Sequence, residues 1–205
     1  MGEDSTTYVE VDDLKIFLCG GVYRPSEDTY LLYDYLKEAG ARGLRAVEIG
    51  SGTGAVSLLL ARENWVLSVD LKPEAARCTW LNAKANGLDG QVDVLCCDSL
   101  SAVREGRLFD LVVFNPPYVP TDSVEAEDAS WSGGRGGVEV ASKFLRDSVA
   151  RLKRGGEVVC VLSSLMDLGN LAEVVEEARL SFETLAEERF FLRIDISGKA
   201  MHEVQ

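Results

Sequence analysis

An apolar strand runs into three closely spaced glycines and then into an apolar helix start at Val47-Glu48-Ile49-Gly50-Ser51-Gly52-Thr53-Gly54-Ala55-Val56-Ser57. Glycine at alternate positions opens backbone dihedrals closed to other residues and removes the Cβ atoms that would hold a ligand off the main chain. The amides of the following helix then face that ligand. Two cofactor classes use this device, because Gly50, Gly52 and Ala55 also satisfy the dinucleotide fingerprint G-x-G-x-x-A. The loop alone fits both.

The rest of the chain alternates strand and helix around this turn. Ser26 is a candidate N-cap, Glu27 and Asp28 fall where a helix dipole favours acids, and Leu32, Tyr35, Leu36 and Ala39 recur at helical spacing up to Gly40. Strands are expected at 44–49, 65–70, 92–97, 109–114 and 157–162. Between them, Val56, Leu59 and Leu60 mark one helix; Pro73 opens another, with Ala76, Trp80 and Ala83 on one face and Asn86-Gly87 as its stop. A fourth helical face runs through Ala141, Phe144, Leu145, Ser148, Val149 and Leu152 and closes at Lys153-Arg154-Gly155-Gly156; a fifth carries Leu171, Val174, Val175 and Ala178. Two late strands, at 182–185 and 190–196, have no helix between them and read as a hairpin. The pattern implies an α/β three-layer sandwich around a Rossmann-like, seven-stranded, mostly parallel sheet with one antiparallel strand. Without a linker-like stretch to divide it, a chain of 205 residues is expected to be one domain that buries roughly 70% of its unfolded surface.

Composition narrows the partners. Thirty-four acidic against 21 basic residues leave a formal net charge of −13, which disfavours direct binding of a bare nucleic acid, because phosphate contact needs clustered Lys and Arg. Cys19, Cys78, Cys96, Cys97 and Cys160 form no C-x-x-C pair; with an odd count and no signal peptide read at the start, reduced thiols in a cytoplasmic protein are expected. Cys96 and Cys97 sit in an apolar run and read as buried. His202 stands near the end of the chain and reads as part of a mobile tail. The longest apolar run, around residues 55–61, falls far short of the ~20 residues that a membrane span needs.

Four strand ends converge on the crevice where ligands of such sheets sit. They are the glycine loop, Asp70, Cys97-Asp98-Ser99 and Asn115-Pro116-Pro117-Tyr118. Asp70, 20 residues after Gly50, is placed to accept hydrogen bonds from ribose hydroxyls, as NAD enzymes also arrange. Asn-Pro-Pro-Tyr decides the chemistry. Neither proline has an N–H, so the strand cannot continue, and Pro116 biases Asn115 to extended backbone. The stiff loop offers the Asn115 amide oxygen and the Pro116 carbonyl as two fixed acceptors for a planar NH₂ group, with the Tyr118 ring as a stacking face. A hydride-transfer site has no need of that arrangement. Between residues 118 and 137 the periodicity breaks, and a long loop carrying Trp131 and Gly133-Gly134-Arg135-Gly136-Gly137 is expected to be flexible and to face the substrate.

These residues resemble the class I S-adenosylmethionine-dependent methyltransferases, and among them the HemK-like glutamine methyltransferases of release factors. The resemblance covers nearly the whole chain. It rests on Glu48-Ile49-Gly50-Ser51-Gly52-Thr53-Gly54, Asp70, Asp98 and Asn115-Pro116-Pro117-Tyr118, with Pro25-Ser26-Glu27-Asp28-Thr29 before and Trp131-Ser132-Gly133-Gly134-Arg135-Gly136-Gly137 after. The flanking segments look like the short archaeal and eukaryotic branch. That branch lacks the separate N-terminal substrate domain of its bacterial relatives.

The resemblance implies S-adenosylmethionine as cofactor, held by Thr29, Glu48, Gly50, Gly52, Gly54, Asp70, Leu71, Asp98, Ser99 and Asn115, with residues 1–25 covering the site. It implies methylation of the glutamine amide of a GGQ motif in a class 1 release factor, with Asn115, Pro116 and Tyr118 catalytic and Pro117, Trp131 and Arg135 also touching substrate. It further implies a small zinc-binding activator protein. In the usual sheet order of this class, Gln91-Val92-Asp93-Val94-Leu95-Cys96-Cys97 is an edge strand whose apolar residues continue where a free edge carries lysine or proline, which gives such a partner a place to pair. Methylation of an exocyclic base amine or of a protein lysine, and a catalytically silent cofactor-binding scaffold, are the other readings.

Overall fold

A computed structural model describes residues 7–119, 133–177, 180–181, 183–187, 192–194 and 200–202. Its centre is a five-stranded sheet in the order β5-β4-β3-β6-β7, formed by β3 (Arg45–Ile49), β4 (Trp65–Asp70), β5 (Val92–Cys96), β6 (Phe109–Phe114) and β7 (Leu152–Cys160). Every pairing in it is parallel. Period-two alternation sends successive side chains to opposite faces. Ala46, Leu111 and Val113 join one apolar cluster, and Val47, Ile49, Val112 and Phe114 join the other. The first cluster is covered by α1 (Glu27–Ala39), α2 (Ala55–Ala61) and part of α3 (Pro73–Ala85); the second by α4 (Glu139–Val149) and α5 (Leu168–Glu177).

The expected layers and parallel sheet are therefore present, with differences in detail. The last pair, β8 (Leu192–Ile194) and β9 (Ala200–His202), forms its own antiparallel sheet instead of extending the large one, and His202 is the β9 partner of Leu192 instead of part of a free tail. Of the strand expected at 182–185, residues 183–185 carry no strand, and Phe182 lies outside the described residues. Leu152 opens β7 instead of closing the preceding helix, since α4 ends at Val149. Trp80 stands 43% exposed, with the Lys84 ammonium 4.1 Å from its ring centre, while Cys78, Thr79 and Asn82 turn inward.

The polar N-terminal stretch gave no strand signal, yet it forms a hairpin of β1 (Tyr8–Val11) and β2 (Leu14–Phe17). Ile16 is fully buried. Two side chains one helical turn apart on α3 hold the outer edge of β2. Asn82 accepts from the Phe17 N–H at 2.9 Å and donates to the Phe17 carbonyl at 3.0 Å; Asn86 does the same for Lys15, at 2.9 Å both ways. An amide side chain carries both a donor and an acceptor, so each copies one rung of a β-ladder.

The thiols also differ from expectation. Cys19 and Cys78 form a disulfide across a sequence separation of 59, tying the end of the hairpin to α3. Cys96 is exposed and Cys97 half-buried, because β5 is the last strand of the sheet on its side and, among the described residues, no strand pairs with its outer edge. No helix among the described residues is long and apolar enough to cross a membrane.

Candidate functional site

The chain crosses from β3 outward to β4 and β5 in one direction and to β6 and β7 in the other, so the connections diverge at the carboxyl end of β3. Ligands of open parallel sheets bind at such a divergence. A cavity of about 450 Å³ lies there, walled by the glycine loop, the ends of β4, β5 and β6, and one face of α4. Gly50 and Gly52, with φ of 79° and 55°, carry the turn and expose its backbone to the cavity. Gly54 serves a different purpose: it is the α2 N-cap at φ 83°, does not line the cavity, and a Cβ on it would meet Thr79 Cγ2 at 2.8 Å.

The carboxylate of Asp70 is fixed by two backbone amides, Gly52 N–H to Oδ2 and Lys72 N–H to Oδ1, each at 2.9 Å. Those bonds leave lone pairs facing the cavity for ribose-type hydroxyls. Deeper in, Glu48 is 6% exposed and accepts a hydrogen bond from the Ser57 hydroxyl, which itself receives the Ser68 hydroxyl at 2.5 Å. Burial pushes the Glu48 carboxyl up to about 8, assisted by the charge of Asp70 and opposed by the Ser57 hydrogen bond. A cation placed beside it would recover the ionised form.

At the end of β5, Asp98 pairs with Lys143 of α4, and both line the cavity. Ser99 follows at φ 52°, a left-handed conformation that costs a non-glycine residue on the order of 1–3 kcal/mol, and its buried hydroxyl has no partner among the described residues. Phe144, edge-on to Phe114 with centroids 5.6 Å apart, closes the α4 side above Gly50.

The β6 end supplies the reactive wall. Asn115 and Pro117 line the cavity, and the Asn115 Oδ1 is buried with no hydrogen-bond partner among the described residues. Leaving such an acceptor unsatisfied costs roughly 1–3 kcal/mol. Pro116 is buried behind it. Tyr118 turns toward Asp28 at the start of α1; burial, and then the charge and hydrogen bond of that carboxylate, raise its phenol well above the usual tyrosine value. Asp28 is itself 6% exposed and takes hydrogen bonds from the Tyr23 hydroxyl at 3.1 and 3.2 Å, from Ser26 at 3.1 Å and from the Thr29 amide at 2.7 Å. The Ser26 hydroxyl is thereby drawn off its capping role, and α1 has no side-chain cap.

Of the expected site residues, Thr29, Glu48, Gly50, Gly52, Asp70, Leu71, Asp98, Ser99, Asn115 and Pro117 surround one cavity. Pro116 and Tyr118 flank it without lining it. Arg135 lies apart, in a polar cleft between α4 and α5. Trp131 falls outside the described residues. Of the loop expected at 118–137, residues 120–132 lie outside the described residues, and the 133–137 glycines make a tight turn: a Cβ on Gly133 would stand 2.7 Å from the Pro117 carbonyl, and its N–H bonds Val119 O at 2.9 Å. The N-terminal segment contributes Val22, Tyr23 and Pro25 to the cavity wall, and α4 contributes Glu139, Val140, Lys143 and Phe144. Sequence reasoning missed these α4 residues because it read the helix as core; the charged Glu139 and Lys143 beside that stripe were the available signal.

A parallel sheet whose strand ends enclose a cavity lined by a glycine turn and an acid for hydroxyls defines a doubly wound α/β enzyme of the nucleotide-cofactor kind. The chain belongs to the methyltransferase small domain family, whose pattern matches residues 23–192. A putative protein N5-glutamine methyltransferase of Methanocaldococcus jannaschii is 31% identical over 193 residues, 86% of this chain and 95% of that protein. The human methyltransferase HEMK2 is 42% identical over 135 residues, 60% of this chain and 63% of that one. Among solved structures, the E. cuniculi Mtq2-Trm112 complex, described as methylating the eRF1 translation termination factor, aligns with a TM-score of 0.55 at 27% identity, covering 88% of this chain and 94% of that one.

Proposed function

We propose that the chain methylates the side-chain amide nitrogen of a glutamine in the GGQ motif of a class 1 translation release factor, using S-adenosylmethionine in the cytoplasm. The observation that carries this reading is the Asn115 side chain, which lines the cavity and whose Oδ1 has no hydrogen-bond partner among the described residues. A primary amide brings two N–H donors; in this reading Asn115 Oδ1 and the Pro116 carbonyl would accept one each, with Tyr118 turning toward them from its place beside Asp28. The cofactor supplies an electrophilic methyl group on a sulfonium.

An amide nitrogen is a weak nucleophile because its lone pair is delocalised. Holding both hydrogens fixes its orientation, which contributes more here than a general base would. On accepting the methyl group the amide nitrogen would release one of those protons to solvent, and the cofactor's sulfur would leave as a neutral thioether. In this reading Gly50 and Gly52 admit the methionine end beside Glu48 and Thr29, Asp70 holds the ribose, and Leu71, Asp98 and Ser99 border the adenine. Trp131 and Arg135 reach the substrate protein. A small zinc-binding activator pairs with the free edge of β5. The names of the relatives support the reading, and the two unsatisfied polar atoms, Asn115 Oδ1 and Ser99 Oγ, are consistent with a bound cofactor and substrate.

The test is to give the purified chain, with and without the activator, labelled cofactor and in parallel a release factor, an oligonucleotide and a histone. Label on the release-factor glutamine is the expected result. Label on a base amine or on lysine would replace the substrate assignment, and no label on any would favour the silent scaffold. Asn115→Ala should abolish turnover while cofactor affinity stays nearly unchanged; wild-type turnover by that variant would remove Asn115 from the mechanism.

A further inference from the structure

The Cys19–Cys78 disulfide stands at the junction of the N-terminal segment and the cavity. Cys78 is fully buried on α3, and Cys19 is half-buried just past β2. The short stretch from Cys19 to α1 supplies Val22, Tyr23 and Pro25 to the cavity wall. Val22 packs against Ala75 and Cys78. One residue beyond Cys78, the Thr79 hydroxyl bonds the Ser51 hydroxyl at 3.0 Å and the Gly52 carbonyl at 3.1 Å, so one turn of α3 carries both the disulfide and the support of the glycine loop. Gly20 and Gly21, by contrast, have no atom within 4 Å of where a Cβ would stand. Within the stretch the Val22 N–H bonds the Cys19 carbonyl at 3.2 Å.

We propose that this disulfide is a redox-operated clasp on the cofactor cavity. Oxidised, it holds Val22 and Tyr23 against α3 and the glycine loop. A dithiol reductant attacks the half-buried Cys19 sulfur; the sulfur–sulfur bond breaks, Cys78 leaves as thiolate and takes a proton, and the second thiol of the reductant then closes its own disulfide and frees Cys19 as a thiol. Two electrons pass from reductant to protein. The released segment leaves the cavity wall for part of the time, and apparent cofactor affinity falls by the fraction of molecules still closed.

The inference rests on S-adenosylmethionine as the ligand, so two readouts are needed. Calorimetry with S-adenosylmethionine on protein purified without reductant, then on protein treated with dithiothreitol, should show about tenfold weaker binding after reduction if roughly nine molecules in ten open. Cys19→Ser should bind like the reduced protein and ignore dithiothreitol; Cys160→Ser should still respond. Equal affinity in both states, even with a lowered melting temperature, would mean the bond only stabilises the fold and would overturn the clasp. So would five free thiols in the untreated protein. If neither form binds S-adenosylmethionine, the cofactor reading fails by itself, and hydrogen exchange decides the clasp: faster exchange at residues 20–25 after reduction supports it, and unchanged exchange rejects it.

Discussion

The backbone N–H of Gly52 donates to Asp70 Oδ2 at 2.9 Å, joining the glycine turn to the end of the neighbouring strand. The two expected cofactor contacts are thus one unit: the acid is oriented by the turn, and the turn is held by the acid. Asp70→Ala should weaken S-adenosylmethionine binding by about 10–100-fold, since losing a charged acceptor for buried hydroxyls costs ~1.5–3 kcal/mol. Asp70→Asn keeps an acceptor for Gly52 and should fall between. Calorimetry on both variants checks this; equal loss in the two would mean that charge, not orientation, dominates.

Gly133 is close-packed against the reactive loop. Any Cβ there would meet the Pro117 carbonyl at 2.7 Å and the Gly137 carbonyl at 2.6 Å, both of them backbone atoms unable to swing aside. Gly133→Ala should therefore displace the Asn-Pro-Pro-Tyr loop. Overpacking of this kind costs about 1–3 kcal/mol. The larger effect should be on rate, because a misplacement of ~1 Å at a reacting group costs about 100-fold. Turnover on a release factor should fall far more than S-adenosylmethionine affinity, and a variant of unchanged rate would detach the glycine turn from the chemistry.

Much of this was legible in the sequence, and the failures have a common cause. Strand β6 is apolar but for Asp110, and helix α3 has Pro73 and Asn86 at its ends, so local signals were enough. The strand ends converged as expected because the topology of a parallel sheet forces them to. The hairpin was invisible because its outer edge is satisfied by Asn82 and Asn86, more than 60 residues away. The disulfide was missed for the same reason: nothing local to Cys19 or Cys78 announces a partner 59 positions off. Within the site, the sequence set the acids and the Asn-Pro-Pro-Tyr loop at strand ends, and Asp70, Asp98, Asn115 and Pro117 meet at one cavity. Tyr23 and Lys143 were not, because they reach the cavity only through tertiary packing.

Glu48 gives the molecule a pH signature. Its folded value, near 8, stands above the 4.5 of an unperturbed glutamate. Between those values the native state binds more protons than the unfolded chain, so stability from this group is full at low pH and is lost as pH rises toward 8. Replacing it by Glu48→Gln should flatten that part of the stability profile, read as melting temperature from pH 5 to 8. If the cofactor's ammonium sits beside the carboxylate, binding at pH 7 should also release a proton. Calorimetry in buffers of different ionisation heat measures it; proton uptake would exclude that placement.

The edge of β5 carries the last prediction. Asp93 is the only charged residue in the strand, and it is engaged by the Trp65 indole N–H at 3.0 Å instead of standing guard. Val94 and Leu95 are half-buried and Cys96 is exposed. Beside them Leu71 is 65% exposed, its carbonyl close to the Cys96 sulfur, and the same Leu71 lines the cofactor cavity. Unprotected edges of this kind recruit another strand. A partner strand added there would bury Leu71 and cover the side of the cavity that Leu71 lines, so pairing should both keep the chain soluble and tighten S-adenosylmethionine binding. Cys96→Lys, which places a charge on the edge, should weaken capture of a small activator protein at least tenfold while leaving the fold intact. Expressed alone, the chain should aggregate or bind cofactor poorly. A monodisperse monomer, fully active on release factor with no second protein, would show that the edge needs no cover.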